Sequence, residues 1–256
     1  MDLWHKLTVD MKSQHLTYSK LECTVEGRVP IQDTVPISTE RRIHYPPDSK
    51  AKLVQEMNPI ADIVNAVRDK LPTFEKTFDM KITYYPDCPE LGPFQVKSTK
   101  STYYGGFRSG NFEGYGTQIW SDGSIYEGMF GNDLANGKGR LINEDGGCYI
   151  GDFRDAKAHG YGEYFNQEGI YYQGEFKANL RDGYGEEKFA DGSVYKGNYF
   201  KGSKEGQGTF TWKDGSSYVG AFNNNFMDGF GVYIWADGRK FEGNWSNNNI
   251  NGKGTF

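Results

Sequence analysis

Residues 195–217 read YKGNYFKGSKEGQGTFTWKDGSS, and this stretch decides the fold. Tyr195, Gly197 and Tyr199 alternate, Gly206 and Gly208 form a Gly-x-Gly pair, and Asp214-Gly215 follows. The same frame recurs every 23 residues without insertion or deletion, starting at Tyr103, Tyr126, Tyr149, Tyr172, Tyr195, Tyr218 and Phe241. A fixed short period marks a repeat architecture, in which units too small to fold alone bury their surfaces on neighbours.

Alternation at period two places the first aromatic, the glycine and the second aromatic on one face of a strand. The Gly-x-Gly pair opens a second strand, and a six-residue polar segment such as Arg154–His159 separates the two. Its same-face positions carry Leu141, Tyr164, Phe210 and Tyr233 nearer the pair, and Trp120, Phe189, Trp212 and Trp235 farther on. Gln118 and Glu187 break the nearer column, Asn143 and Asn166 the farther one. Asp-Gly between alternating runs is a strong hairpin signal, read here as a turn with positive φ at both central residues. A glycine opposite each bulky aromatic leaves room for the ring to lie flat over the neighbouring backbone. The expected fold is all-β: an elongated single-layer antiparallel meander of seven hairpins, beside a small mixed α/β or extended N-terminal region.

Composition divides the chain at about residue 98. After residue 102 lie 32 of the 34 glycines and all of the net charge of −5. We expect a non-repetitive extension over 1–97 and the array over 98–256, its last unit incomplete. An acidic array argues against sequence-independent nucleic-acid binding, which needs a basic face to displace counterions. Within the extension, Asn58-Pro59 followed by Ile60, Ile63, Val64, Val67 and Leu71 predicts a short amphipathic helix over 59–71. Its apolar stripe either packs on the first repeat, capping the sheet end, or docks a partner. Phe78, Met80, Ile82 and Tyr84 suggest a strand near 77–85, and Val29-Pro30, Val35-Pro36 and Pro46-Pro47 read as extended chain.

Cys23, Cys88 and Cys148 are odd in number and far apart, which suits a reducing compartment better than a disulfide framework. No apolar run reads as a signal peptide or a membrane span, so the expected location is cytoplasmic. No catalytic motif is present, and the chain reads as non-enzymatic, with no cofactor and no metal site. His159 occupies what reads as a polar turn position, where the other units carry Glu113, Asn136, Asp182, Glu205, Asp228 and Asn251.

The pattern Tyr-x-Gly-x-Phe, Gly-x-Gly, Asp-Gly at 23 residues resembles the MORN (membrane occupation and recognition nexus) repeat family over 103–256. That resemblance implies a sheet of stacked hairpins with one aromatic-rich face. It also implies likeness to MORN proteins of ciliary axonemes and radial spoke heads, and hence a non-catalytic scaffold among other proteins of a cytoskeletal assembly. Candidate partner-binding residues on the aromatic face are Trp120, Tyr164, Phe189, Phe210, Trp212, Tyr233, Trp235, Trp245 and Phe256. Strand addition or self-association at the C-terminal edge is a further expectation. The family name suggests a membrane-tethering or phosphoinositide-binding alternative, which needs basic loops. Arg154–His159, Lys177–Asp182 and Phe200–Glu205 each carry net +1 and Gly131–Asn136 and Asn223–Asp228 each net −1, so the connectors are not basic enough and the charge favours the scaffold. The regulatory part of a lipid kinase is the third reading.

Overall fold

The computed structural model describes residues 62–72 and 90–256. The readings at 77–85, at the proline-containing segments, at Cys23 and Cys88, and at His5, His15 and His44 fall outside those residues. One fifteen-stranded sheet runs strictly in sequence order, every neighbouring pair antiparallel. It starts at β1 (Glu90–Val96) and β2 (Ser101–Arg108) and ends at β14 (Lys240–Ser246) and β15 (Asn249–Thr255). Each repeat supplies two strands, as β8 (Tyr171–Lys177) and β9 (Leu180–Lys188) do in the fourth.

The first aromatic of each unit is the centre of its packing. Glycines pair directly across the strands, Gly174 opposite Gly185 for instance, and the Tyr172 ring lies over that pair. A Cβ on Gly174 would stand 2.5 Å from the Gly185 Cα, so no other residue fits there. Each of these tyrosines donates its hydroxyl to the carbonyl three residues on, as Tyr126 does to Met129 at 2.9 Å and Tyr172 to Glu175 at 3.1 Å. Burial pushes the ionisation of these phenols upward, that of Tyr218 to about 12, so they stay protonated donors. Edge-to-face contacts link the rings without a break: Tyr126 meets Phe130 at 5.1 Å and Phe153 of the next unit at 5.0 Å, and the chain continues to Phe241. Such pairs add about 0.5–1.5 kcal/mol each beyond the area they bury.

The turns exchange the roles expected of them. The six-residue polar segments are no loops but tight two-residue hairpins flanked by strand. Both central residues have positive φ, as in Asn132-Asp133 (51° and 67°) and Asn224-Asn225 (48° and 73°). The Asp-Gly turns are longer: Ser121–Ser124 connect β3 (Asn111–Trp120) to β4 (Ile125–Gly131), and only Gly123 has positive φ. The Asp accepts a bond from the backbone two residues on, Asp122 from Ser124 N at 2.8 Å, and so fixes an Asx turn instead. His159 lies within strand β7 (Lys157–Phe165), and Gly160 takes the left-handed backbone. Its counterparts in other units cap the next hairpin: Glu113 accepts from Asn132 N at 3.2 Å and Asp182 from Lys201 N at 3.1 Å. Each hairpin turn is also bonded to the second strand of the preceding unit. Asn179 accepts from Ala158 N at 2.7 Å, and Asn248 from Met227 N at 2.8 Å.

The helix α1 (Asp62–Arg68) lies within its expected span but does not cap the sheet end. The edge beside β2 is taken by β1, and α1 instead covers the face opposite the aromatic chain. Val64 and Val67 pack there with Ile119, Ile125, Ile142 and Cys148, all nearly inaccessible, while Ile63 stays exposed. Those aliphatic residues alternate with the aromatic columns, so the first units present a second apolar face, and a helix offers the right stripe to bury it. Glu127, buried between them, takes Arg68 of α1 at 2.7 Å and Arg140 of the sheet at 2.5 Å. Arg140 also donates to the Pro72 carbonyl at 2.7 Å. Val64→Ala is expected to weaken docking of α1 by about 2 kcal/mol through lost burial and a residual cavity. Hydrogen exchange would show faster α1 amides with unchanged protection in β8–β15; α1 protection equal to wild type would contradict this packing.

Candidate protein-binding face

The aromatic face has two layers. Beneath lie the first aromatics of every unit and their edge-to-face partners, buried against the glycine pairs. Above them, on the second strands, half-buried rings form a row along the sheet. Phe189 stacks on Phe210 with centroids at 5.6 Å, Phe210 meets Trp212 at 4.6 Å, and Trp212 meets Tyr233 at 5.2 Å. Tyr233 then meets Trp235 at 4.8 Å, and Trp235 stacks with Phe256 at 6.2 Å. The row exists because β11 (Ser203–Thr211) and β13 (Phe226–Ile234) each lead an aromatic at the nearer position straight into a tryptophan at the farther one.

Not every expected residue belongs to this row. Tyr164 and Trp245 are buried, at 1% and 6% exposure, and are core rather than contact residues. Trp120 is half-buried on the same face but at the opposite end of the array, away from the row. Phe189, Phe210, Trp212, Tyr233 and Trp235 are half-buried and contiguous, and Phe256 is 85% exposed at the far end. In the second and third units Asn143 and Asn166 replace the farther ring. These asparagines leave a gap in the column of farther rings, so the row begins only at the fourth unit.

A buried charge cluster closes that end, and the sequence reading missed it. Glu187, 3% exposed, takes the place of the nearer aromatic. Its carboxylate receives Lys204 Nζ at 2.8 Å, the Tyr199 hydroxyl at 2.9 Å and the Arg181 guanidinium. Burial alone would raise its pKa, but Arg181 and Lys204 outweigh it and hold the carboxyl below the ordinary 4.5. Arg181 lies over the buried Tyr172 ring at 4.8 Å, and Lys204 over Phe189 at 5.0 Å, so one cation faces the buried ring chain and the other the end of the row. A signal for this cluster was present. Arg181 and Lys204 stand in the column of Phe112, Ala135, Ala158, Met227 and Ile250, so three departures from apolar columns fall in adjacent units.

Cys148, buried beneath α1, is a packing residue; loss of solvent pushes its thiol up to about 12, outside the range of a nucleophile. Among the described residues no group of His, Cys, Asp or Glu is placed to hold a metal ion, and no helix is long and apolar enough to cross a membrane.

The MORN repeat family model matches residues 103–125, 126–148, 149–168, 172–194, 195–217, 218–238 and 241–256, more than half of the chain. The chain belongs to the MORN repeat family. MORN membership points to a protein-interaction or scaffold role, and the contiguous rings of units four to six are the part of this MORN array best shaped for one. No curated protein matches the chain. Among solved structures it is similar to the TCP domain of Drosophila melanogaster SAS-4 (dCPAP), in complex with a proline-rich motif of Ana2 (dSTIL). Identity there is 12%, coverage 51% of this chain and 72% of that one, and the TM-score 0.35. It is also similar to the TCP10 domain of Danio rerio CPAP in complex with a peptide of Danio rerio STIL, with 10% identity, 58% and 65% coverage and a TM-score of 0.37. Both are distant likenesses between β-structures.

Proposed function

We propose that this MORN protein is a non-catalytic scaffold that holds another protein of a cytoskeletal assembly, a ciliary axoneme, against the ring row of units four to six. The observation that carries the reading is the row itself: five contiguous half-buried aromatics, Phe189 to Trp235, on a face whose lower layer is already packed. Rings already held against neighbouring rings lose little entropy on binding, and Trp and Tyr are the side chains enriched at interface centres. The axonemal location is inferred from resemblance to MORN proteins of radial spoke heads. The acidic array disfavours adhesion to anionic lipid, since each Lys or Arg near such a surface contributes about 1 kcal/mol and few stand on the turns.

The test is extraction of cells carrying the tagged chain with detergent and then high salt, followed by cross-linking mass spectrometry of the retaining fraction. Retention in the insoluble cytoskeletal fraction, with cross-links from the array to one set of proteins, is the expected result. Release by detergent alone without protein cross-links would replace the scaffold by the membrane-tethering reading.

A further inference from the structure

On the face opposite the ring row, beyond the part that α1 covers, the third and fourth units hold a carboxylate between two exposed rings. Glu175 of β8 has Tyr161 of β7 directly opposite on one side and Tyr184 of β9 beside it on the other. The tyrosines are 55% and 56% exposed. The carboxylate itself is fixed. Its Oε1 accepts from the Tyr184 backbone N–H at 3.1 Å, and it lies over Gly183, where a Cβ would stand 2.8 Å from Oε2. Among the described residues Oε2 receives no hydrogen bond. One repeat earlier the chain shows what such a group takes: Asp152 is paired with Lys138, directly opposite it, at 2.8 Å. At Glu175 the opposite position is Tyr161, so a ring stands where the lysine stood. Glu163, two residues on from Tyr161 on the same face, likewise has no cation among the described residues. Lys188 and Lys196 pair instead with Glu186, at 3.5 and 3.0 Å, and Lys177, two residues along β8, forms an ion pair with neither Glu163 nor Glu175.

We propose that Tyr161, Glu175 and Tyr184 clamp an arginine of a partner protein, its guanidinium donating to Glu175 Oε2 and lying between the two rings. Charge complementarity names the occupant: the surface offers an anion that the chain leaves without a cation, so the partner supplies one. The spacing suits a planar group. Side chains on the two strands that flank β8 start about 10 Å apart, which leaves room for a flat cation against both ring faces. Guanidinium is planar, stacks on aromatic rings and sheds water more readily than an ammonium, so arginine is held in preference to lysine. The hydrogen bond from Tyr184 N–H sets the carboxylate in place before the partner arrives, so no rotamer freedom of Glu175 is lost on binding. The clamp lies on the other face from the ring row and does not depend on it.

The probe is acetyl-Gly-Arg-Gly-amide, titrated into the isotope-labelled full chain. The readout is the Tyr184 amide resonance, because that N–H is bonded to Glu175. A saturable shift is expected, and the lysine version of the peptide should bind about threefold or more weakly. Glu175→Gln still accepts from Tyr184 N–H but carries no charge, and should weaken the arginine peptide about fivefold. Tyr161→Ala should weaken it about threefold. Both positions are exposed, so the thermal transition serves as a control for folding. Trp235→Ala should leave the affinity as in the wild type. Absence of a saturable shift overturns the proposal, as does a lysine peptide that binds as tightly or wild-type affinity in Tyr161→Ala. A loss of binding in Trp235→Ala overturns it too, since the peptide would then be read by the ring row.

Discussion

Gly185→Val is expected to be the most damaging single substitution in the array, costing about 3 kcal/mol or more. The glycine lies directly beneath the Tyr172 ring, and a Cβ placed on it would stand 2.5 Å from the ring's Cε2 and Cζ. The ring cannot retreat. Its hydroxyl is bonded to the Glu175 carbonyl, and its edges meet Phe176 at 5.1 Å and Tyr199 at 5.3 Å. Displacing it therefore breaks the edge-to-face chain between the third and fifth units. In a one-dimensional array such a lesion uncouples the two halves, so the denaturation curve should broaden as well as shift. Urea unfolding checks both effects. Tyr172→Ala removes the ring that is struck, and the double variant should be more stable than the sum of the two losses allows. A loss below about 1 kcal/mol for Gly185→Val would mean that the ring does not rest on the glycine pair.

Glu187→Ala is the second large expectation, with a cost of about 3–5 kcal/mol, because it leaves Arg181 and Lys204 facing each other without their shared anion in a buried site. Glu187→Gln keeps the shape and should lie between. Protonation of the acid reads the same cluster. The folded carboxyl titrates below 4.5, so its contribution is fully present above 4.5 and is lost as pH falls through the lowered value. Wild-type stability should therefore decline more steeply than that of Glu187→Gln below pH 4.5. Parallel pH profiles for the two proteins would contradict the ion cluster.

Most of the sheet is legible in the sequence, because a strict period makes each unit a control for the others. Tyr172, Gly174 and Gly185 recur in equivalent places, and ring-over-glycine packing is the steric reason that those types are needed. The hairpins are less legible. Ala156 and Ala178 adopt φ of 57° and 50° in the tight turns, and neither looks like a left-handed residue. Their conformation is imposed by hydrogen bonds from the neighbouring unit, such as Ala156 N to the Ala135 carbonyl at 2.9 Å. The placement of α1 is likewise a tertiary fact: a Val64–Val67 stripe says that a helix has an apolar side, but only the aliphatic run Ile119, Ile125, Ile142 says which surface accepts it. Of the candidate face, the row from Phe189 to Trp235 is readable by alternation. Tyr164 and Trp245 share that alternation and are nevertheless buried, because facing inward does not distinguish the lower layer of rings from the upper.

The central claim is that the upper ring row is where another protein is held. Site-specific incorporation of a benzophenone amino acid at Trp235, with the turn residue Asn224 as control, measures this most directly in cells. Irradiation should give one discrete polypeptide adduct at position 235, the same protein that the extraction retains, and none at position 224. Adducts confined to lipid, or equal yields at both positions, would contradict the account.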